Sequence, residues 1–239
     1  MGINAQTSVP AFTAGQVLTA AEMTEVNTGI PVFATTTTRD AAFGGTGEKV
    51  LAEGQYAYIE ATKTTQYYDG AAWVTVGASG LTLVKAEVIG SAVGSVTVTG
   101  AFSATYDNYL IMISGGVGSA TGTLRLTLGS ASTGYYSKTI YGLYSDSTVS
   151  GFGASNAANW ANAGYTTANA LSFNVTLTNP FLAKNTLINS NNAAATTTDA
   201  VYSLQGYLAD TTSYTAFTLT PASGTITGGT IRVYGYANS

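Results

Sequence analysis

Thr123-Leu124-Arg125-Leu126-Thr127-Leu128 places three leucines on one face of an extended chain and polar residues on the other. Successive side chains of a strand point to opposite sides, so this period of two marks a half-buried strand. Ser172-Phe173-Asn174-Val175-Thr176-Leu177 repeats the pattern with Phe173, Val175 and Leu177, and Ile231 and Val233 do so near the C-terminus. Further strands are expected at Leu81–Val88, Ser95–Thr99, Asn108–Ser114, Tyr135–Tyr144, Leu182–Ile188, Ala200–Leu208, Tyr214–Thr220 and Thr230–Tyr236, with the second quoted stretch widened to Ala170–Thr178. No strongly periodic helix separates them. About ten short strands joined by Gly, Asn and Ser turns predict a two-sheet sandwich of the jelly-roll type. Residues 81–239 suffice for one such core.

Composition narrows the chemistry. The 239 residues carry 8 Lys+Arg and 12 Asp+Glu, so 8% are charged, against about 25% in an ordinary soluble domain. With no His and no Cys, a Ser-His-Asp relay, the usual zinc or copper ligand sets and a disulfide framework are all excluded. A net charge of −4 argues against nucleic acid as a main partner. No apolar run is long enough to insert in a membrane. The opening Met1–Gln6 lacks a basic segment followed by an apolar one, so a signal peptide is not expected.

The charges divide unevenly. Residues 1–87 hold 12 of the 20, whereas 88–239 hold four of each sign. Three segments are expected: 1–31 as an arm and short helix, 32–80 as a small β module with a hinge, and 81–239 as the head. In the first, Thr19 and Glu22 form a capping box and Leu18 and Met23 a hydrophobic staple. Gly29 and Pro31 end the helix, which is expected over Ala20–Thr28. Met23, Val26 and Ile30 make a narrow apolar stripe that needs a partner, because so short a helix is marginal alone. Phe12, Leu18, Met23, Val26 and Ile30 are therefore candidates for docking or oligomer contacts, with packing on the same chain as the competing reading.

In the second segment Gln55–Glu60, Thr65–Tyr68 and Ala72–Val76 read as a three-stranded meander, with Asp69-Gly70 as a tight turn. Trp73 is the expected centre of its small core. A module of this size without metal or disulfide needs support from elsewhere.

Catalytic and ligand motifs are sparse. Gly115-Gly116-Val117-Gly118 and Thr227-Gly228-Gly229-Thr230 precede no helix and no Lys-Ser/Thr, so hairpin turns are expected rather than phosphate loops. A glycosidase needs paired carboxylates. Beyond Glu87 the acids are Asp107, Asp146, Asp199 and Asp210, placed as turn residues are. No cofactor or metal is implied and the chain is not read as an enzyme.

Tyr135 to Tyr165 is richer: Tyr135, Tyr136, Tyr141, Tyr144, Phe152, Trp160 and Tyr165 lie among Ser, Gly, Asn and Ala. Rigid aromatic faces beside small hydrogen-bonding residues suit recognition surfaces and sugar rings. Tyr135, Tyr136, Phe152, Trp160 and Tyr165 are the candidate receptor-binding residues, with Trp160 placed in a loop spanning 156–162. Tyr141 and Tyr144 look strand-borne and structural.

Three motifs, in order, carry a resemblance. Phe12-Thr13-Ala14-Gly15-Gln16-Val17-Leu18-Thr19-Ala20-Ala21-Glu22-Met23 resembles the opening of bacteriophage tail and minor structural proteins. Thr38-Arg39-Asp40-Ala41-Ala42, Gly54-Gln55-Tyr56-Ala57-Tyr58 and Tyr67-Tyr68-Asp69-Gly70-Ala71-Ala72-Trp73 together are similar to a small module of phage fibre and tail proteins. Gly224 to Tyr236 resembles the closing strand of their jelly-roll heads. The resemblance implies a virion component, a homotrimer docked to other virion proteins by its N-terminal region and bearing a distal β head. That head is expected to recognise a host-surface glycan. A purely structural decoration or connector protein is the alternative, and a polysaccharide depolymerase the third.

Overall fold

The structure is a computed structural model that describes residues 7, 9, 13–19, 29–46, 48–77, 80–196 and 200–238. The chain is mainly β and divides into two compact units, Met1–Ala78 and Ser79–Ser239. The helix expected over Ala20–Thr28, with Met23 and Val26, lies outside the described residues, as does Phe12. Leu18 and Ile30 are exposed.

In the first unit a parallel strand, β1 (Val32–Phe33), is added to the expected meander of β2 (Tyr56–Ile59), β3 (Thr64–Tyr68) and β4 (Trp73–Thr75). Between β1 and β2 stands a short helix that was not expected, α1 (Thr36–Asp40). The Thr35 hydroxyl accepts from the Thr38 N–H at 3.2 Å, and the Thr35 N–H donates back to Thr38 Oγ1 at 3.0 Å. This is a capping box built from two threonines rather than from Thr and Glu. The core is Phe33, Ala42, Ala57 and Ile59. Trp73 packs on it from the rim instead of forming its centre. It contacts Phe43 and Tyr68 at ring centroids of 5.8 and 5.7 Å, and the Arg39 guanidinium lies 4.6 Å over its ring. Arg39 is buried and also donates to Gln66 Oε1 and Asp40 Oδ1, which is how a buried cation is tolerated there.

The second unit is a jelly roll. Its strands, in chain order, are β5 (Leu81–Val88), β6 (Val96–Val98), β7 (Asn108–Ser114), β8 (Val117–Gly118), β9 (Gly122–Leu128), β10 (Tyr135–Leu143), β11 (Val149–Ala157), β12 (Trp160–Thr166), β13 (Leu171–Ser172), β14 (Asn174–Thr178), β15 (Thr186–Ala193), β16 (Ala200–Leu208), β17 (Phe217–Pro221), β18 (Ile226–Thr227) and β19 (Thr230–Tyr236). One sheet runs β11-β10-β16-β15-β14-β7-β19-β5 and the other β13-β12-β9-β17-β6. The chain passes between them so that β5-β19-β7-β14 and β6-β17-β9-β12 form the two four-stranded sheets of two nested Greek keys. The remaining long strands widen the first sheet. β10 and β11, inserted between β9 and β12, meet β15 and β16, inserted between β14 and β17.

The core is where the alternating strands face each other. Tyr109, Ile111, Val175, Leu177, Leu204, Ile231 and Val233 from the wide sheet meet Val98, Leu124, Leu126, Leu128, Phe217 and Leu219 from the narrow one. Two buried polar side chains share one acceptor: Ser190 Oγ and Asn192 Nδ2 both donate to the Ala163 carbonyl, at 2.8 and 3.0 Å. The two glycine clusters are not the expected hairpin turns: one leads from β7 into β8 and the other from β18 into β19, strands that pair across the clusters (β7 with β19, β8 with β18), and the glycines lie against each other. Gly115, Gly116, Gly228 and Gly229 all have positive φ, and a Cβ on Gly116 would strike the Gly228 carbonyl.

Candidate functional site

The aromatic-rich segment folds into the widened flank of the large sheet, and the two faces of that flank receive different residues. Tyr135, Thr139 and Tyr141 of β10 point inward with Leu204 and Tyr202 of β16, while Tyr136, Lys138 and Ile140 point outward with Tyr207, Gln205 and Ser203.

Trp160 and Tyr135 are corrected by this arrangement. Trp160 begins β12 rather than sitting in a loop, and neither side chain has exposed surface. Their rings meet edge to face, centroids 4.9 Å apart at 85°. The Tyr135 hydroxyl accepts from the Leu128 N–H at 2.8 Å, and burial pushes its pKa up to about 12. Both residues are core members and present nothing to a receptor.

The other three candidates reach the surface. Phe152 on edge strand β11 is 43% exposed. It begins a row of rings along the inner side of the flank, at 5.8 Å from Tyr141, which stacks on Tyr202 at 5.8 Å; Tyr202 in turn stacks on Tyr165 at 5.0 Å. Tyr136 lies on the opposite face and stacks on Tyr207 at 5.0 Å and 7°. The structure therefore groups Phe152 with Tyr165 and separates Tyr136 from them. Tyr141 is strand-borne as expected, whereas Tyr144 follows β10, is half exposed, and donates to the Ala194 carbonyl at 3.2 Å. Tyr202 and Tyr207 complete both aromatic groups. They lie in Ala200–Leu208, whose alternation identified a strand but not its role.

Two shallow depressions mark the flank. One, of about 870 Å³, is lined by Met112, Asn174, Asn191, Ala193, Ile140 and Val201 among others, with no charged residue among the described lining. The other, of about 420 Å³, holds the Tyr136–Tyr207 pair with Ser137, Gln205 and Lys138. Planar rings, amides, hydroxyls and one ammonium can bind a neutral polar ligand by stacking and hydrogen bonding. These groups offer no paired carboxylates for acid–base chemistry.

The aspartates act in turns. Asp146 Oδ1 accepts from the Thr148 N–H, and Asp210 Oδ1 accepts from the Thr212 N–H at 2.9 Å. Asp210 also accepts from the Tyr214 hydroxyl, and this bond, followed by those from Thr212, holds its carboxyl below the ordinary range. Burial, then the Asp210 carboxylate, raises the Tyr214 phenol. Asp199 lies outside the described residues. Among the described residues, no three Asp or Glu side chains gather where they could hold a metal ion. In comparison with known proteins, the chain matches no family model and, at a significant level, no curated protein and no solved structure.

Proposed function

We propose that the protein is a structural component of a phage virion, a trimeric fibre or spike-like appendage whose N-terminal unit docks to the particle and whose jelly roll is the outward head. The observation that carries the reading is the head itself. Its jelly roll is widened on one side into a nearly uncharged flank bearing exposed aromatic and amide side chains. Such a flank suits contact rather than catalysis. The order of the sequence motifs in the N-terminal unit supports the docking assignment.

Host recognition then belongs to Phe152 and the ring row behind it on the inner side of the flank, Tyr141, Tyr202 and Tyr165, and a host-surface glycan is the ligand class such rings suit. The exposed apolar residues on the outer side of the flank favour a second reading, a connector or decoration protein whose flank meets other virion proteins.

Antibodies against residues 81–239 should label intact particles of the encoding phage at discrete sites in electron micrographs. Absence of label, together with absence of the chain from the particle's protein inventory, overturns the reading. Binding of the full chain to host cells that is lost in Phe152→Ala but kept in Val117→Ala supports the receptor role. A folded chain that binds particles but no cells leaves the connector role.

A further inference from the structure

The two outer faces of the jelly roll differ sharply. The narrow sheet turns Thr97, Thr127 and Thr218 outward in one cross-strand row, with Thr123, Arg125 and Thr220 beside it. That is a hydroxyl-covered surface of the kind water wets. The wide sheet turns out Leu83, Met112, Ile140, Leu187, Val201 and Tyr207, each between 38% and 52% exposed. Most of the exposed large apolar side chains of the C-terminal unit stand on this one face. Single exposed apolar residues need no explanation, but their concentration on one sheet face marks a contact surface.

Charge and area identify what covers it. Among the described residues the face carries Lys138 on β10 and Arg232 on β19, and Arg232 is turned to the Ser114 hydroxyl. They lie about five strand spacings apart, roughly 24 Å. The rest of the face has no charge for an oppositely charged partner to complement. A copy of the same chain supplies a matching neutral, apolar surface without like-charge repulsion at the centre. Eight strands at about 4.8 Å by about seven residues at about 3.3 Å span roughly 850 Å². That is about the 800 Å² that one subunit of a stable complex contributes, a footprint that in a trimer is divided between two neighbours.

We infer that the outer face of the wide sheet is the surface through which copies of this chain associate. The apolar side chains are then the buried centre and the amides of Asn189, Asn191 and Gln205 add hydrogen bonds around them. The inference rests on the appendage reading for the expected number of copies, three, and otherwise stands on the face alone.

The test is the mass of the full chain in solution by sedimentation velocity at micromolar concentration. The expected species is three times 24.3 kDa. Leu187→Lys/Met112→Lys places two ammonium groups on central strands at positions already exposed, and should weaken association at least about a hundredfold. Val50→Lys, at an exposed site in the N-terminal unit, should leave it unchanged. A monomeric wild type overturns the inference, and so does an undiminished oligomer in the folded double variant. If that variant loses its β circular dichroism, Ile140→Lys/Val201→Lys makes the same decision. A monomer leaves the appendage reading to the particle labelling; an oligomer without particle label overturns the appendage reading alone.

Discussion

Replacing Trp160 tests whether it is core or contact. Its side chain is wholly buried and packs edge to face on Tyr135. Truncation to Ala withdraws roughly 150–200 Å² of buried surface. At about 25 cal/mol/Å² that is about 4–5 kcal/mol, within the range of roughly 3–5 kcal/mol typical of such truncations. The lost ring–ring geometry adds about 0.5–1.5 kcal/mol. An opposing effect comes from Nε1, which is buried and meets no protein acceptor. Removing an unpaired buried N–H relieves about 1–3 kcal/mol. The net expectation for Trp160→Ala is a loss of about 3 kcal/mol. Trp160→Phe keeps most of the ring and removes the orphan donor, so it should fall within about 1 kcal/mol of wild type. Urea unfolding followed by far-UV circular dichroism measures both. Trp73, the other tryptophan, reports the N-terminal unit by fluorescence, and its transition should stay in place. A loss below about 1 kcal/mol for Trp160→Ala, or equal losses for Ala and Phe, refutes the reasoning.

Further outcomes follow from other sites. Gly206→Ala would drive a Cβ into the Tyr136 carbonyl across the β10–β16 pair, and should cost about 2–3 kcal/mol in thermal or urea unfolding; an unchanged midpoint contradicts the close approach. Arg39→Ala removes the guanidinium from Trp73, Gln66 and Asp40 and should cost about 1–3 kcal/mol, shifting the Trp73 emission transition to lower urea. The Asp210 carboxyl is held below its ordinary value, so its contribution is present above the normal carboxylate range and is lost as the pH falls through the lowered value. The acid limb of a stability–pH profile should therefore be shallower in Asp210→Asn. The Tyr135 phenol is raised to about 12, so its contribution is full below the ordinary value near 10 and disappears between there and 12. Tyr135→Phe should flatten that alkaline limb, as measured by unfolding across pH 9–12.

The strands whose apolar residues alternate were legible. Leu81–Val88, Asn108–Ser114, Ala200–Leu208 and Thr230–Tyr236 occupy the expected spans. β11 and β12 were not foreseen. β11 is an edge strand exposed along most of its length, so Val149-Ser150-Gly151-Phe152-Gly153 carries no buried face to alternate. β12 buries Ala163 and Gly164, the latter so close to Phe173 that a Cβ would collide, and small residues leave no hydropathy signal. β15 runs Thr186–Ala193 rather than Leu182–Ile188, because Ser190 and Asn192 face inward on the strength of hydrogen bonds to Ala163. Those bonds join residues far apart in sequence, beyond the reach of local pattern. Trp160 was misplaced for a related reason: its Asn and Ala neighbours read as a loop, and its burial depends on Tyr135 of another strand.

The widened sheet is a graft with two roots. β10 and β11 enter the chain at one point, β15 and β16 at another, and the pairing of β10 with β16 splices them. Removing β10 and β11 alone would bare the long edge of β16, and removing β15 and β16 alone would strand the other hairpin. The two insertions can therefore be trimmed or extended together, while the eight strands beneath keep their order. The breadth of the flank is thus a dimension separable from the scaffold that carries it.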